Sequence, residues 1–157
     1  MTHAKRILDL AQNAEIKIAT AESCTGGLVA VALTDIAGSS SVVERAFVTY
    51  SNDAKMDMLG VTPRTLKLYG AVSEQVAREM AIGALQNSKA DLTVSITGIA
   101  GPGGSDHKPE GRVCFAKADK NDVFVETIEF GALGRAHVRT AARDHALGML
   151  LNALGED

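Results

Sequence analysis

The residues Thr20-Ala21-Glu22-Ser23-Cys24-Thr25-Gly26-Gly27 join a short apolar run, Ile16 to Ala21, to a helical pattern that begins near Gly26. Small residues at such a strand-to-helix turn let backbone come close to a ligand, and a helix start offers N–H groups without intrahelical partners. A turn of this kind suits an anion or a developing oxyanion. It also sets the Ser23 hydroxyl beside the Cys24 thiol, so nucleophilic chemistry is open to it. The plainer reading is a capped turn, with Ser23 or Thr25 as the helix N-cap. The turn's own residues favour the plainer reading, and the rest of the chain has to decide.

The pattern repeats along the chain. Ile7, Leu8, Ala11 and Ala14 have helical spacing, and Ile16, Ile18 and Ala19 make a short buried strand. Leu28 to Ile36 reads as a helix stopped at Ala37-Gly38. Phe47 to Tyr50 is a strand, and Ser51-Asn52-Asp53 caps a short helix that stops at Gly60. Thr62-Pro63 opens another helix, and Ser73 to about Asn87 a longer one. Asp91 to Thr97 predicts a central strand, which runs into Gly98-to-Gly104 and a polar loop through Glu110. Arg112 to Lys117 and Val123 to Phe130 predict an antiparallel hairpin, and a last helix spans about Gly134 to Leu154. Strands interleaved with helices, then a hairpin and a closing helix, imply a three-layer α/β/α sandwich, one domain over residues 1–157. Its sheet is expected to be mixed and mostly parallel, with the antiparallel part at the hairpin.

Composition narrows the function. A charged fraction of 22% against 46% hydrophobic argues for a packed globule rather than a disordered chain. Aromatics at 4% and no tryptophan disfavour stacked-base or carbohydrate platforms, and a net charge of −3 with dispersed Lys and Arg gives no nucleic-acid footprint. No apolar run reaches membrane-spanning length, and Met1 to Asp9 lacks a signal-peptide core. Two cysteines, Cys24 and Cys114, give neither a disulfide framework nor metal spacing, and a reduced cytoplasmic setting follows as the expectation. The histidines His3, His107, His137 and His145 are scattered, so no metal is expected, and no cofactor.

Both glycine-bearing loops, Ser23-to-Gly27 and Gly98-to-Gly104, follow a strand. If those two strands are neighbours, the loops converge on one crevice at the strands' carboxyl ends. Neither loop matches the dinucleotide or phosphate-loop glycine pattern. A third strand end carries Tyr50 and Lys55. A lysine can act as general base when desolvation lowers its pKa, although a solvated helix lysine is the plainer assignment.

The strings TAESCTGG (20–27), LTDIAGSS (33–40), FVTYSNDAK (47–55), GAVSE (70–74), AIGAL (81–85) and SITGIAGPGG (95–104) together resemble the CinA C-terminal domain family. Its members are nicotinamide-nucleotide amidohydrolases, also called NMN deamidases. The resemblance runs in one order over roughly residues 7–152. Larger members carry an additional N-terminal domain similar to those of molybdopterin-binding proteins, and the expectation here is a stand-alone unit. The resemblance implies hydrolysis of the carboxamide of nicotinamide mononucleotide (NMN) to nicotinate mononucleotide and ammonia.

On that resemblance Ser23 is the nucleophile, Lys55 its general base, and Tyr50 relays a proton or orients the amide. N–H groups around Cys24, Thr25, Gly26 and Gly27 hold the oxyanion. Thr97, Gly98 and Gly101 line the pocket, and Ser40 contacts the amide or phosphate. Arg139, or else Arg135 on the same helix, meets the phosphate. Cys24 competes with Ser23, since a thiol is the better nucleophile and a helix start lowers its pKa. A homo-oligomer, most simply a two-fold dimer, is the expected assembly. The rival reading is a non-catalytic pyridine-nucleotide-binding or competence- and damage-associated regulatory module, which binds the nucleotide without releasing ammonia.

Overall fold

Five strands form one sheet in the order β2-β1-β3-β4-β5 in the computed structural model, which describes residues 1–105 and 107–156. Asp106, inside the expected polar loop, and Asp157, the last residue of the expected domain, lie outside the described residues. The chain runs α1 (His3–Ala14), β1 (Ile18–Glu22), α2 (Leu28–Thr34), a 3₁₀ turn (Ser39–Ser41) and β2 (Val43–Val48). It continues through α3 (Asn52–Leu59), α4 (Pro63–Tyr69), α5 (Glu74–Gln86) and β3 (Leu92–Gly98) to β4 (Arg112–Ala118), β5 (Val123–Glu129) and α6 (Arg135–Ala153). The pairs β1–β2 and β1–β3 are parallel, while β3–β4 and β4–β5 are antiparallel. Four strands therefore share one direction and β4 alone is reversed, as a mixed, mostly parallel sheet requires.

The topology positions the site. From β1 the chain steps outward to β2, then returns through three helices to β3 on the other side of β1. That reversal leaves a crevice beyond the carboxyl ends of β1 and β3, where ligands of open α/β sheets bind. The loops Ser23-to-Gly27 and Gly98-to-Gly104 leave those two ends.

Strand alternation sorts the buried side chains into two layers. Leu92, Val94 and Ile96 of β3 join residues of α1, α2 and α6 in the larger core cluster. The intervening Thr93 and Ser95 donate hydroxyl hydrogen bonds to the α5 carbonyls of Ala81 (2.8 Å) and Ala77 (2.6 Å), and Thr97 to Ala71 (2.8 Å). Small residues make this close approach possible: Ala77 and Ala81 of α5 pack on Cys114, Ala116 and Ala118 of β4. At α5's other contact a Cβ on Gly83 would run into the Leu59 carbonyl at the end of α3.

One boundary differs from the expectation in a way that matters. β2 starts at Val43 and ends at Val48, so Tyr50 lies beyond the strand and is 61% exposed. Glu44 and Arg45 conceal the strand's start because an edge strand tolerates polar side chains while its backbone pairs with β1.

Candidate active site

Ser23 is the first residue past β1, and its N–H donates to the Ile96 carbonyl at 2.9 Å, extending the β1–β3 ladder by one rung. Lys55 enters from α3, whose start is capped by Ser51 accepting from the Ala54 N–H at 3.0 Å. The lysine is buried, with 1% of its surface exposed. Its Nζ lies 3.0 Å from Ser23 Oγ, 2.8 Å from the Thr49 carbonyl and 3.2 Å from the Tyr50 carbonyl. No carboxylate is among these partners. Burial without a counter-ion drives the Lys55 pKa down from 10.5 to about 8, against an opposing pull from Cys24. A neutral amine has two N–H donors and one lone pair. Lys55 Nζ donates to all three oxygens, and the Ser23 hydroxyl donates in turn to the Tyr50 carbonyl at 3.4 Å; a Lys55 that loses its proton keeps two donors for the carbonyls and frees a lone pair toward Ser23 Oγ.

Cys24 has the opposite character. Burial, above all, pushes its thiol up to about 12, and the Glu22 charge adds to the rise. The thiol stays protonated at neutral pH, so the low pKa expected at a helix start does not arise.

The turn itself is held by two charged side chains, Glu22 and Arg139. Gly27 occupies the N-cap of α2 with φ 111°, and neither Ser23 nor Thr25 caps the helix. The cap is Glu22, fully buried, which accepts from the Val29 N–H (3.0 Å), the Ala30 N–H (3.0 Å) and the Thr25 hydroxyl (2.6 Å). On the other side Arg139 donates to the carbonyls of Cys24 (3.0 Å) and Thr25 (3.3 Å). Gly26 donates its N–H to the Ser23 carbonyl at 3.0 Å and the Cys24 N–H serves that residue's own thiol, whereas the N–H groups of Thr25 and Gly27 meet no acceptor among the described residues. Of these residues Cys24 alone lines a cavity at the Ser23–Lys55 pair, and the first helical turn offers it no further amide, since the Val29 and Ala30 N–H groups go to Glu22 and the Leu28 N–H to the Thr25 carbonyl.

A cavity of about 200 Å³ opens on the pair, lined by Ser23, Tyr50, Lys55, Thr97, Gly98 and Arg135 among others. A second, of about 310 Å³, adjoins it under the glycine loop and includes Gly98, Gly101, Lys108 and Arg135. Gly101 has φ 92°, and a Cβ there would clash with the Glu110 carboxylate. Arg135 spans both cavities, donating to the Gly101 carbonyl (2.8 Å) and to Tyr50 Oη (2.8 Å), with no carboxylate partner among the described residues.

The structure thus gathers Ser23, Lys55, Tyr50, Cys24, Thr97, Gly98 and Gly101 at one end of the sheet. Tyr50 touches the pair through its carbonyl, while its phenol is turned to Arg135. Two expectations are redirected. Arg139 is spent on the turn's carbonyls and lines neither cavity, so Arg135 is the cation that faces them. Ser40 sits in the 3₁₀ turn before β2, at the amino end of a strand whose carboxyl end adjoins the site. A six-residue strand separates the two by roughly 17 Å, so Ser40 of this chain is not at the pair. Glu22 was legible in principle: alternation along β1 sends residues 18, 20 and 22 to the α2 face, and a carboxylate there meets a helix start.

The sequence profile described as the CinA C-terminal domain matches residues 1–154. Nicotinamide-nucleotide amidohydrolase PncC of Escherichia coli (strain K12) is 54% identical over 134 residues, which cover 85% of this chain and 81% of that protein. A CinA-like protein of Syntrophobacter fumaroxidans is 48% identical over 142 residues, covering 90% of this chain and 33% of the relative. The crystal structure of the competence/damage inducible protein CihA from Agrobacterium tumefaciens superposes with a TM-score of 0.93 at 51% identity, covering 98% of this chain and 94% of that one.

Proposed function

The chain belongs to the CinA C-terminal domain family, and on that premise we propose that it hydrolyses the carboxamide of NMN to nicotinate mononucleotide and ammonia. The observation that carries the reading is a buried lysine, depressed to about 8 and without a carboxylate partner among the described residues, 3.0 Å from a serine hydroxyl. An amide is a poor electrophile and its leaving group a poor one, so the site must supply a nucleophile, a proton carrier and oxyanion donors.

Neutral Lys55 takes the Ser23 proton as Oγ attacks the carboxamide carbon. The tetrahedral oxyanion is held by the N–H groups of Cys24 and Thr25. The Lys55 ammonium then passes its proton to the departing nitrogen, which leaves as ammonia, and a nicotinoyl ester remains on Ser23. Water, deprotonated by Lys55, opens the ester and returns the proton to Ser23. Tyr50 supports the lysine through its carbonyl and walls the cavity with its ring. The nucleotide phosphate extends into the adjoining cavity, toward Arg135 and Lys108.

Ammonia release from NMN, followed by a coupled assay, tests the reading. Stoichiometric ammonia and nicotinate mononucleotide support it. Binding of NMN with no ammonia overturns it in favour of the regulatory module. The same reading takes the chain as a homo-oligomer in a reduced cytoplasmic setting. Exposed Val31, Val48 and Leu68 support the assembly, and two free buried cysteines support the setting. A monomeric mass by light scattering would remove the assembly.

A further inference from the structure

Glu22 is a buried charge whose position a helix cap alone does not explain. Capping α2 needs only a neutral Ser, Thr or Asn at the N-cap, worth about 1 kcal/mol. The chain has Gly27 there and brings a fully buried carboxylate from the end of β1, although removing a charge from water is costly unless every lone pair is used. Here they are used. Oε1 accepts from Thr25 Oγ1 and the Val29 N–H, and Oε2 from the Ala30 N–H. The Glu22 carbonyl also accepts from the Thr49 N–H at 2.9 Å, and Thr49 in turn presents its own carbonyl to Lys55.

One residue therefore ties together the strand end just before Ser23, the α2 start, the Thr25 side chain and the segment that holds the lysine. Arg139 completes the frame from the opposite side by taking the Cys24 and Thr25 carbonyls. Between the two clamps, the Thr25 N–H is left without an acceptor among the described residues and the Cys24 N–H serves only its own thiol. We propose that Glu22 is a positioning residue for the oxyanion site, its carboxylate fixing the Ser23-to-Thr25 turn so that the Cys24 and Thr25 amides are held ready for the developing charge. This rests on the amidohydrolase reading for its substrate and on the turn alone for its mechanism.

The sign of the effect is open to test. A negative charge close to an oxyanion opposes it by Coulomb's law, so if charge dominated, neutralising Glu22 would speed turnover. The network argues for the reverse, because the carboxylate is already matched by three donors and faced across the turn by a guanidinium. Gln at position 22 keeps the shape but presents an NH₂ to a set of donors, and the turn loses its anchor.

The experiment reads two reactions: ammonia release from NMN, and acylation of Ser23 by p-nitrophenyl acetate, which needs the same amides but not the nucleotide pocket. Glu22→Gln is expected to lower kcat for NMN and the acylation rate by about 100-fold, the scale of losing an oxyanion donor. KM for NMN stays within about threefold, and the kcat/KM inflection near pH 8 does not move, since the base is untouched. Thr25→Val, which removes the hydroxyl that Glu22 holds, lowers both rates by at least about tenfold, and Thr25→Ser restores them to within about threefold. If Glu22→Gln does not fold, the Thr25 pair carries the test. Unchanged or faster acylation in Glu22→Gln, or equal losses in Thr25→Val and Thr25→Ser, overturns the proposal. Failure with NMN but loss of acylation in the variants sinks the substrate reading and leaves Glu22 in its role.

Discussion

The Lys55 amine stands 3.0 Å from the Ser23 hydroxyl, and its other two partners are backbone carbonyls. Carbonyls accept from a lysine in either protonation state, whereas a carboxylate would have locked it as an ammonium. The choice of partners, together with burial, leaves this lysine able to lose its proton near neutral pH.

Ser23→Ala is expected to lower kcat for NMN by at least about a thousandfold, because the attacking atom is gone. Cys24→Ala keeps turnover within about tenfold of the parent, its thiol being protonated up to about 12 and buried. The variant loses some thermal stability through the lost packing of a buried side chain. Ammonia assays on both variants check this, and a dead Cys24→Ala with an active Ser23→Ala would move the nucleophile to Cys24.

The free enzyme's kcat/KM is expected to rise with pH and level off above an inflection near 8, the value to which burial lowers Lys55. Lys55→Met removes most of kcat and that inflection with it. A profile flat from pH 6 to 9, or an active Lys55→Met enzyme, sinks the base assignment.

The same shift predicts a stability change with its own sign. Lys55 titrates near 8 when folded and near 10.5 when exposed, so between those values the unfolded chain binds the extra proton. Stability from this residue is lowest below pH 8, where both states are charged, and rises as pH climbs from about 8 to 10.5. Cys24 acts oppositely above pH 9 because its thiol is raised in the fold, but it is present in both proteins compared. Urea unfolding of the parent and of Lys55→Met across pH 7 to 10.5 is expected to show the rise in the parent alone. Parallel curves would mean that the buried lysine is not depressed.

Arg135→Ala is expected to raise KM for NMN by about tenfold, the scale of one charge-assisted hydrogen bond to a phosphate, with little change for nicotinamide riboside, which lacks the phosphate. Arg139→Ala acts through the turn and lowers kcat for both compounds alike. Steady-state kinetics with the pair of substrates separates the two arginines, and a phosphate-dependent KM effect at Arg139 would reverse the assignment.

Much of the scaffold could be read from the chain because its causes are local. The alternation of Asp91 to Thr97, the Ser51 and Ser73 caps, the glycine stop at Gly60 and the positive-φ turn at Gly26-Gly27 are each decided within a few residues, whereas α2 ends at Thr34 with Asp35 as its C-cap, short of the stop expected at Ala37-Gly38. β2 was only half visible, since Glu44 and Arg45 obey edge-strand rules that depend on having one neighbour rather than two. The strings around Ser23, Tyr50 and Lys55 pointed to the proposed reacting groups by resemblance, not by any property of their spacing.

The sequence by itself determined the strand and helix segments, the two glycine loops and the residue types offered for catalysis, because periodicity, capping and turn chemistry act over short range. Only the tertiary structure decided that residues 23 and 55 meet, that Lys55 is buried with no carboxylate partner among the described residues, that Glu22 and Arg139 clamp the turn while Arg135 faces the cavities, and that Ser40 lies at the other end of its strand. Those outcomes depend on which strands become neighbours and which faces are covered. Proximity and desolvation arise only once β1 lies between β2 and β3 and the helices close over both faces of the sheet.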